Sequence, residues 1–274
     1  MADVVELSYY PVKGCAGISA SEAMVTPAGL AHDRAFMVVS EEGVFRTQRR
    51  APRLALIRPG IDVGGERLTL RAPGQGEVAV DVDTTGARRP VDLFGTPYRG
   101  IDQGDGVAQW LTEVLGVPSR LVRVPPEHDR MTDGRVPGRA GWADSGALHV
   151  LSRSSLDLLN EKIAERGGEP LSMNRFRPNI VIGGWDEPHT EDRAHRILIG
   201  GTELAYAKLA IRCAVTLVDQ ENGIKDGPEP IRTLAGYRRG AVGTVFGAKF
   251  SVLRPGKVAV GDAVDVTGWG EPER

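Results

Sequence analysis

Between Glu66 and Gly100 the chain reads "ERLTLRAPGQGEVAVDVDTTGARRPVDLFGTPYRG", a succession of short apolar alternations cut by Gly, Pro, Asp and Thr. This pattern restricts the fold more than any other feature. A period of two places every second side chain on one face of a strand, and runs this short leave no room for an ordinary helix. "AFMVVSEEGVFRTQ" adds two strands around a turn at Glu42-Gly43, and "RLALIRPGIDV" continues the series. With 35 glycines and 18 prolines, turn residues are plentiful throughout. Residues 1 to about 105 are therefore read as mostly β.

Helical periodicity first appears in "DGVAQWLTEVLG", where Val107, Leu111, Val114 and Leu115 fall on one side and Gly116 follows the end. A second helix is predicted in "SSLDLLNEKIAERGG", opened by Ser154 and Asp157 as a capping pair and stopped at Gly167-Gly168. A third, shorter helix opens at Pro230 in "PEPIRTLAGYRR". Strands return in "NIVIGGW", "RILIGGTELAYAKLAIRCAVTLVD" and "SVLRPGKVAVGDAVDVTG". The intervening "RVPPEHDRMTDGRVPGRAGWADSG", rich in Pro, Gly and charge, is the candidate boundary or active-site loop. The predicted class is mostly β (α+β) with a few helices, divided into residues 1–120 and 121–274.

A formal net charge of −2 argues against a dedicated nucleic-acid binder. The basic run "FRTQRRAPRLALIR" lacks the interleaved aromatics that stack bases, Phe45 excepted. The opening "MADVVELSYYPVKG" has no basic n-region leading into an apolar stretch, and no segment approaches the ~18 apolar residues of a membrane span. A cytoplasmic protein with no membrane or nucleic-acid partner is expected. Two cysteines, Cys15 and Cys213, imply no disulfide framework.

Phosphate-binding Gly-rich loops, G-x-S-x-G elbows and H-E-x-x-H helices are missing from the sequence, and the five histidines lack zinc-like spacing. His149 in "ALHVL" reads as a half-buried strand histidine. Local clusters remain. In "MNRFRPNIVIGG" the proline pushes Arg177 towards an extended conformation, so Arg175, Arg177 and Asn179 should share one strand face with Phe176 on the other. Such a face could bind an oxyanion through its planar guanidinium forks, or could be a solvated outer edge. Asp33-Arg34 leads into a strand and could be a surface pair. Lys13 lies in the Gly-bearing turn "YPVKGCAG", where backbone N–H groups could help cradle an anion. If "LAIRCAVTLV" is a regular strand, Ile211, Cys213 and Val215 share a face and Arg212 points away. Cys213 is then either a small core hydrophobe or a soft thiolate ligand for a transition metal.

Taken in order, "YPVKGCAG", "GLAHDRAFMVV", "ALHVLSRSSLDLLN", "NRFRPNIVI", "RCAVTLVDQENG", "EPIRTLAGYRR" and "PGKVAVGDAV" resemble the MOSC proteins, named for the C-terminal domain of molybdenum cofactor sulfurase. More narrowly, the chain is similar to the branch containing the mitochondrial amidoxime-reducing component and its bacterial relatives. The resemblance implies an N-terminal β-barrel-like domain followed by a β-barrel MOSC domain. It implies a molybdenum cofactor, a molybdopterin, with Cys213 as the thiolate ligand to the metal and Asp144 close to it. Lys13, Arg34 and Arg177 correspond to basic residues that hold the cofactor, with Gly14, Ser145, Arg175, Asn179 and Arg212 as further contacts. Gly14 stands where the family often carries a serine, and Ile211 where some members have a small polar residue.

The implied activity is reduction of N-hydroxylated compounds such as amidoximes, hydroxylamines or N-hydroxylated nucleobases. Electrons are expected from a separate flavin reductase or ferredoxin-like protein, since the sequence ends soon after "GDAVDV" without an iron–sulfur domain. Two other readings stay open: a non-catalytic carrier of the cofactor or of sulfur on Cys213, and a β-rich binding protein without cofactor.

Overall fold

A computed structural model describes residues 1–241 and 243–273. Strands dominate, and three α-helices are present among the described residues: α1 (Asp105–Leu115), α2 (Arg153–Ala164) and α3 (Ile231–Ala235). The apolar alternation of the sequence becomes two main sheets.

The larger sheet has nine strands and draws on both ends of the chain. Its path runs Val264–Trp269, Ala194–Ile199, Thr202–Ile211, Gly243–Arg254, Leu148–Ser152, Ile180–Gly183, Asp3–Tyr9 and Ile18–Ala20, with Arg239–Gly240 pairing beside Gly243–Arg254. An isolated bridge between Asp3 and Ala263 ties the N-terminal strand back to the start of Val264–Trp269. Val4, Leu7, Ile180, Ile182, Ile197, Tyr206 and Phe250 are fully buried in one cluster on this sheet. Their burial removes water from apolar surface contributed by both halves of the sequence.

The second sheet has the order Arg88–Leu93, Thr96–Asp102, Arg120–Arg123, Phe36–Val39 and Val12–Lys13. A separate meander, Arg58–Ile61, Arg67–Ala72 and Gln75–Asp81, lies against α1. Leu111, Val107 and Trp110 of α1 pack with Phe36, Leu54, Leu68 and Leu70, and Cys15 is buried among them. The helix ends where the sequence predicts, with Gly116 in the left-handed conformation and its N–H returned to the Thr112 carbonyl.

Four local expectations need correction. The cap of α2 is Ser152, whose side chain accepts the Ser155 N–H, so the helix starts before the Ser154–Asp157 pair. Met173–Phe176 forms a 3-10 turn and the strand begins only at Ile180, which removes the shared strand face expected for Arg175, Arg177 and Asn179. Arg177 has φ 54° and ψ 49° rather than an extended backbone, because its N–H closes the turn on the Asn174 carbonyl. The third concerns "LAIRCAVTLV": the strand stops at Ile211 and Ala214–Leu217 is a 3-10 turn with Cys213 at its N-cap. His149 does lie in a strand, but it is fully rather than half buried.

Candidate functional site

The chain leaves the large sheet at Tyr9 and enters the second at Val12, so Tyr10 and Lys13 sit where the two sheets approach. Tyr10 is buried, and its N–H donates to Asp33 Oδ1 at 2.7 Å while its hydroxyl donates to the Pro178 carbonyl. Its ring carries the guanidinium of Arg34 at 4.3 Å and that of Arg177 at 4.2 Å, two cation–π contacts on one aromatic. Both arginines have positive φ, at 49° and 54°. Backbone strain of this kind persists where surrounding contacts over-determine it, and here the Tyr10 stack does so.

These residues open onto one cleft. Lys13, Arg34, Arg46, Arg49, Arg177, Arg212 and Lys249 line it, and among the described residues Asp144 is the acidic side chain on its wall. Lys13 donates to the Trp142 carbonyl at 2.9 Å and is ion-paired with Asp144. Crowding around Asp144 opposes its ionisation, but Lys13, Lys249 and Arg34 outweigh that and hold the carboxyl well below its ordinary range. Arg34 is paired with the buried Asp33 and donates to Asn179 Oδ1 at 3.0 Å and the Arg177 carbonyl at 3.3 Å. Asn179 also accepts the His149 N–H and donates to the Ser8 carbonyl, so its side chain is spent on holding Arg34 and the adjoining strands.

The thiol end is built differently. Arg212 donates to the Phe176 carbonyl at 3.1 Å and approaches His149 Nε2 at 3.4 Å, while its Nε has no partner among the described residues. Burial brings the Arg212 pKa down to about 10, and burial with Arg212 and Arg34 nearby brings Lys249 down to about 7. The same burial, with Lys249 and Arg212, pushes His149 well below its usual value and keeps it neutral. Cys213 is half-buried in the cleft, and Arg49 Nη1 lies 3.8 Å from its Sγ. Cys15 is the contrast: fully buried, its thiol pushed up to about 12 by burial. It behaves as the small core hydrophobe.

Of the residues singled out from the sequence, Lys13, Gly14, Arg34, Asp144, Ser145, Arg177, Asn179, Arg212 and Cys213 all line this cleft. Gly14 has φ 82°, and its carbonyl accepts from Gln48. Arg175 is not among them. It is buried and turned to the loop after Leu217, where it donates to the Leu217 carbonyl and pairs with Asp219 at 3.0 Å and Asp226 at 3.5 Å. Its place in the 3-10 turn, not on a strand, aims it away. The residues missed are Tyr10, Arg49, Phe45, Phe94 and Lys249. Lys249 had a legible signal, a lone cation within the apolar run "VFGAKFSVL". Arg49 had none, since nothing local distinguishes it from its basic neighbours.

Comparison with known proteins decides the family. Residues 1–118 match the model of the MOSC N-terminal beta barrel domain, and residues 137–265 match that of the MOSC domain. The chain belongs to the MOSC-domain family. The MOSC chain is 34% identical to mitochondrial amidoxime-reducing component 1 of Mus musculus, over 97% of its own length and 82% of the relative's. Against the Homo sapiens protein of the same name the identity is also 34%, covering 97% and 83%. It is 32% identical to the molybdenum cofactor sulfurase of Danio rerio, over 87% of the MOSC chain and 31% of that longer protein. Two of these relatives are named for amidoxime reduction and the third for the molybdenum cofactor. No helix among the described residues is long and apolar enough to cross a membrane.

Proposed function

We propose that this protein is a molybdenum-cofactor-dependent reductase of N-hydroxylated compounds, supplied with electrons by a separate donor protein. The observation that carries the reading is the convergence of seven basic side chains, most of them buried or half-buried, on the same cleft as the accessible Cys213. Desolvated cations repel one another and lose their hydration, so this arrangement is stable chiefly when an anion is bound. The lowered pKa of Arg212 and Lys249 and the unpartnered Arg212 Nε are signs of that unmet demand. A phosphate-bearing pterin fits the donor set, and a thiolate suits a soft transition metal. Among the described residues no group of three or more His, Cys, Asp or Glu side chains is placed to hold a metal ion, so the metal would come with the cofactor and take Cys213 as its protein ligand.

Lys13, Arg34, Arg177 and Arg212 would hold the anionic cofactor, with Ser145 and the backbone at Gly14 as further contacts. When bound, the cofactor supplies the two-electron redox chemistry by which an N-hydroxy compound, two electrons and two protons give the reduced nitrogen compound and water. The protein's own work is positioning. Asn179 and Asp33 fix Arg34; His149, neutral, accepts from Arg212 and so fixes the residue next to Cys213. Asp144, kept ionised by Lys13, cannot donate a proton near neutral pH. Cys213 is only half-buried and Ile211, on the same cleft, is exposed, which leaves this part of the cleft within reach of substrate. A division at about residue 120, crossed by the N-terminal strands Asp3–Tyr9 and Ile18–Ala20 of the large sheet, and a cytoplasmic location belong to the same reading.

Elemental mass spectrometry of protein made in a host that synthesises the cofactor tests it. Near-stoichiometric molybdenum that falls sharply in Cys213→Ala, with amidoxime reduction by a chemical donor lost in parallel, is the expected result. Metal absent from both proteins overturns the reading. A persulfide on Cys213 in metal-free protein would instead favour a sulfur carrier, a reading that the similarity to a cofactor sulfurase supports.

A further inference from the structure

The hairpin of Arg88–Leu93 and Thr96–Asp102 carries Phe94 at its tip, with a left-handed backbone at φ 57°, followed by Gly95 at φ 81°. Two successive positive φ angles make the tight turn that matches strand twist, and its first position ordinarily goes to Asn, Asp or Gly. A bulky residue there is a backbone outlier of the kind found at functional positions. Phe94 is also 46% exposed, so the hairpin gains little burial in exchange for the strain.

The ring faces the cleft. It lies beside Phe45, centroids 4.5 Å apart and inclined at 60°, with Lys13 Nζ 5.2 Å and the Arg49 guanidinium 5.7 Å from its centre. Arg49 in turn places its Nη1 3.8 Å from Cys213 Sγ. Both phenylalanines are held through Asp92: its Oδ1 accepts the Gly95 N–H at 3.0 Å and its carbonyl accepts the Phe45 N–H at 3.2 Å. Ile211, 52% exposed, and Val215 add apolar surface to the same cleft.

We infer that Phe94, backed by Phe45, is a specificity-determining residue, an aromatic wall that takes the flat face of a planar aromatic N-hydroxylated substrate. This rests on the reductase reading and names the substrate class within it. Offset or tilted contact with a rigid ring selects a substrate that has a ring of its own, and an aliphatic amidoxime offers none.

Phe94→Asn installs a residue the turn favours, so the fold is retained, and Phe94→Tyr keeps the ring. Two measurements are made: kcat/KM for benzamidoxime and acetamidoxime on molybdenum-loaded protein, and saturation-transfer NMR of benzamidoxime binding on protein prepared without molybdenum. The expected result is a benzamidoxime-to-acetamidoxime ratio lowered about tenfold in Phe94→Asn, chiefly through KM, and near wild type in Phe94→Tyr. An unchanged ratio in Phe94→Asn overturns the inference. If the wild type reduces neither substrate, the reductase reading fails and binding alone decides. Saturation transfer seen with the wild type and lost in Phe94→Asn upholds the wall; transfer equal in both, or absent from both, overturns it.

Discussion

Lys13 and Arg34 both face the cleft, yet their removal should have opposite consequences for the unloaded fold. Arg34 is paired with Asp33, whose carboxylate is almost wholly buried. Arg34→Met leaves that charge without its partner and should cost about 3–5 kcal/mol, read from denaturant unfolding. Lys13 instead pairs with Asp144, whose side chain is 59% exposed and can turn to water. Burial lowers the Lys13 pKa in spite of the Asp144 carboxylate, which marks its charge as a net cost to the fold when no anion is bound. Lys13→Met should therefore leave the melting temperature of unloaded protein unchanged or raise it, while molybdenum retention falls. The identities of both residues were legible in "PVKG" and "AHDR" through the family resemblance; their unequal roles were not, because the sequence cannot say which carboxylate is buried.

Among the elements, α2 depends on the Ser152 cap, and Ser152→Ala should cost about 1 kcal/mol or more. The cap is coupled to a buried acidic pair. Glu191 accepts from the Ser152 N–H and the Ser155 hydroxyl, and Asp192 accepts from Arg238. Burial raises Asp192 to about 7, overcoming Arg238, with Glu191 adding to the rise. A carboxyl raised above its unfolded value is stabilised in its protonated form, so its contribution is full below about pH 4 and is lost as pH rises through 7. Asp192→Asn keeps the neutral shape. The wild type should lose stability relative to this variant by up to about 1.4 kcal/mol per pH unit across that window. A gap independent of pH would show that Asp192 is ionised throughout. Nothing in "HTEDRAH" signals a buried pair, since adjacent acidic residues ordinarily read as a solvated turn.

For the whole molecule, the large sheet joins sequence that a cut near residue 120 would separate. Asp3–Tyr9 fills the place between Ile180–Gly183 and Ile18–Ala20, and buries Val4 and Leu7. A fragment of residues 121–274 should show no cooperative unfolding transition by circular dichroism, and should regain one when co-expressed with residues 1–120. A cooperative transition in the isolated fragment would show that the N-terminal strand is dispensable. The sequence by itself determined that the chain is mostly β and where α1 ends, and the family resemblance led to the expectation that Cys213, Lys13, Arg34 and Arg177, which line one cleft, act together. Those are consequences of local periodicity, turn chemistry and motif order. Tertiary structure alone decided that Arg175 turns away, that Arg49 reaches Cys213, that Phe94 and Lys249 face the cleft, and that Cys213 caps a 3-10 turn. Each depends on contacts between residues far apart in the chain, and their energies outweigh the local preferences that a sequence displays.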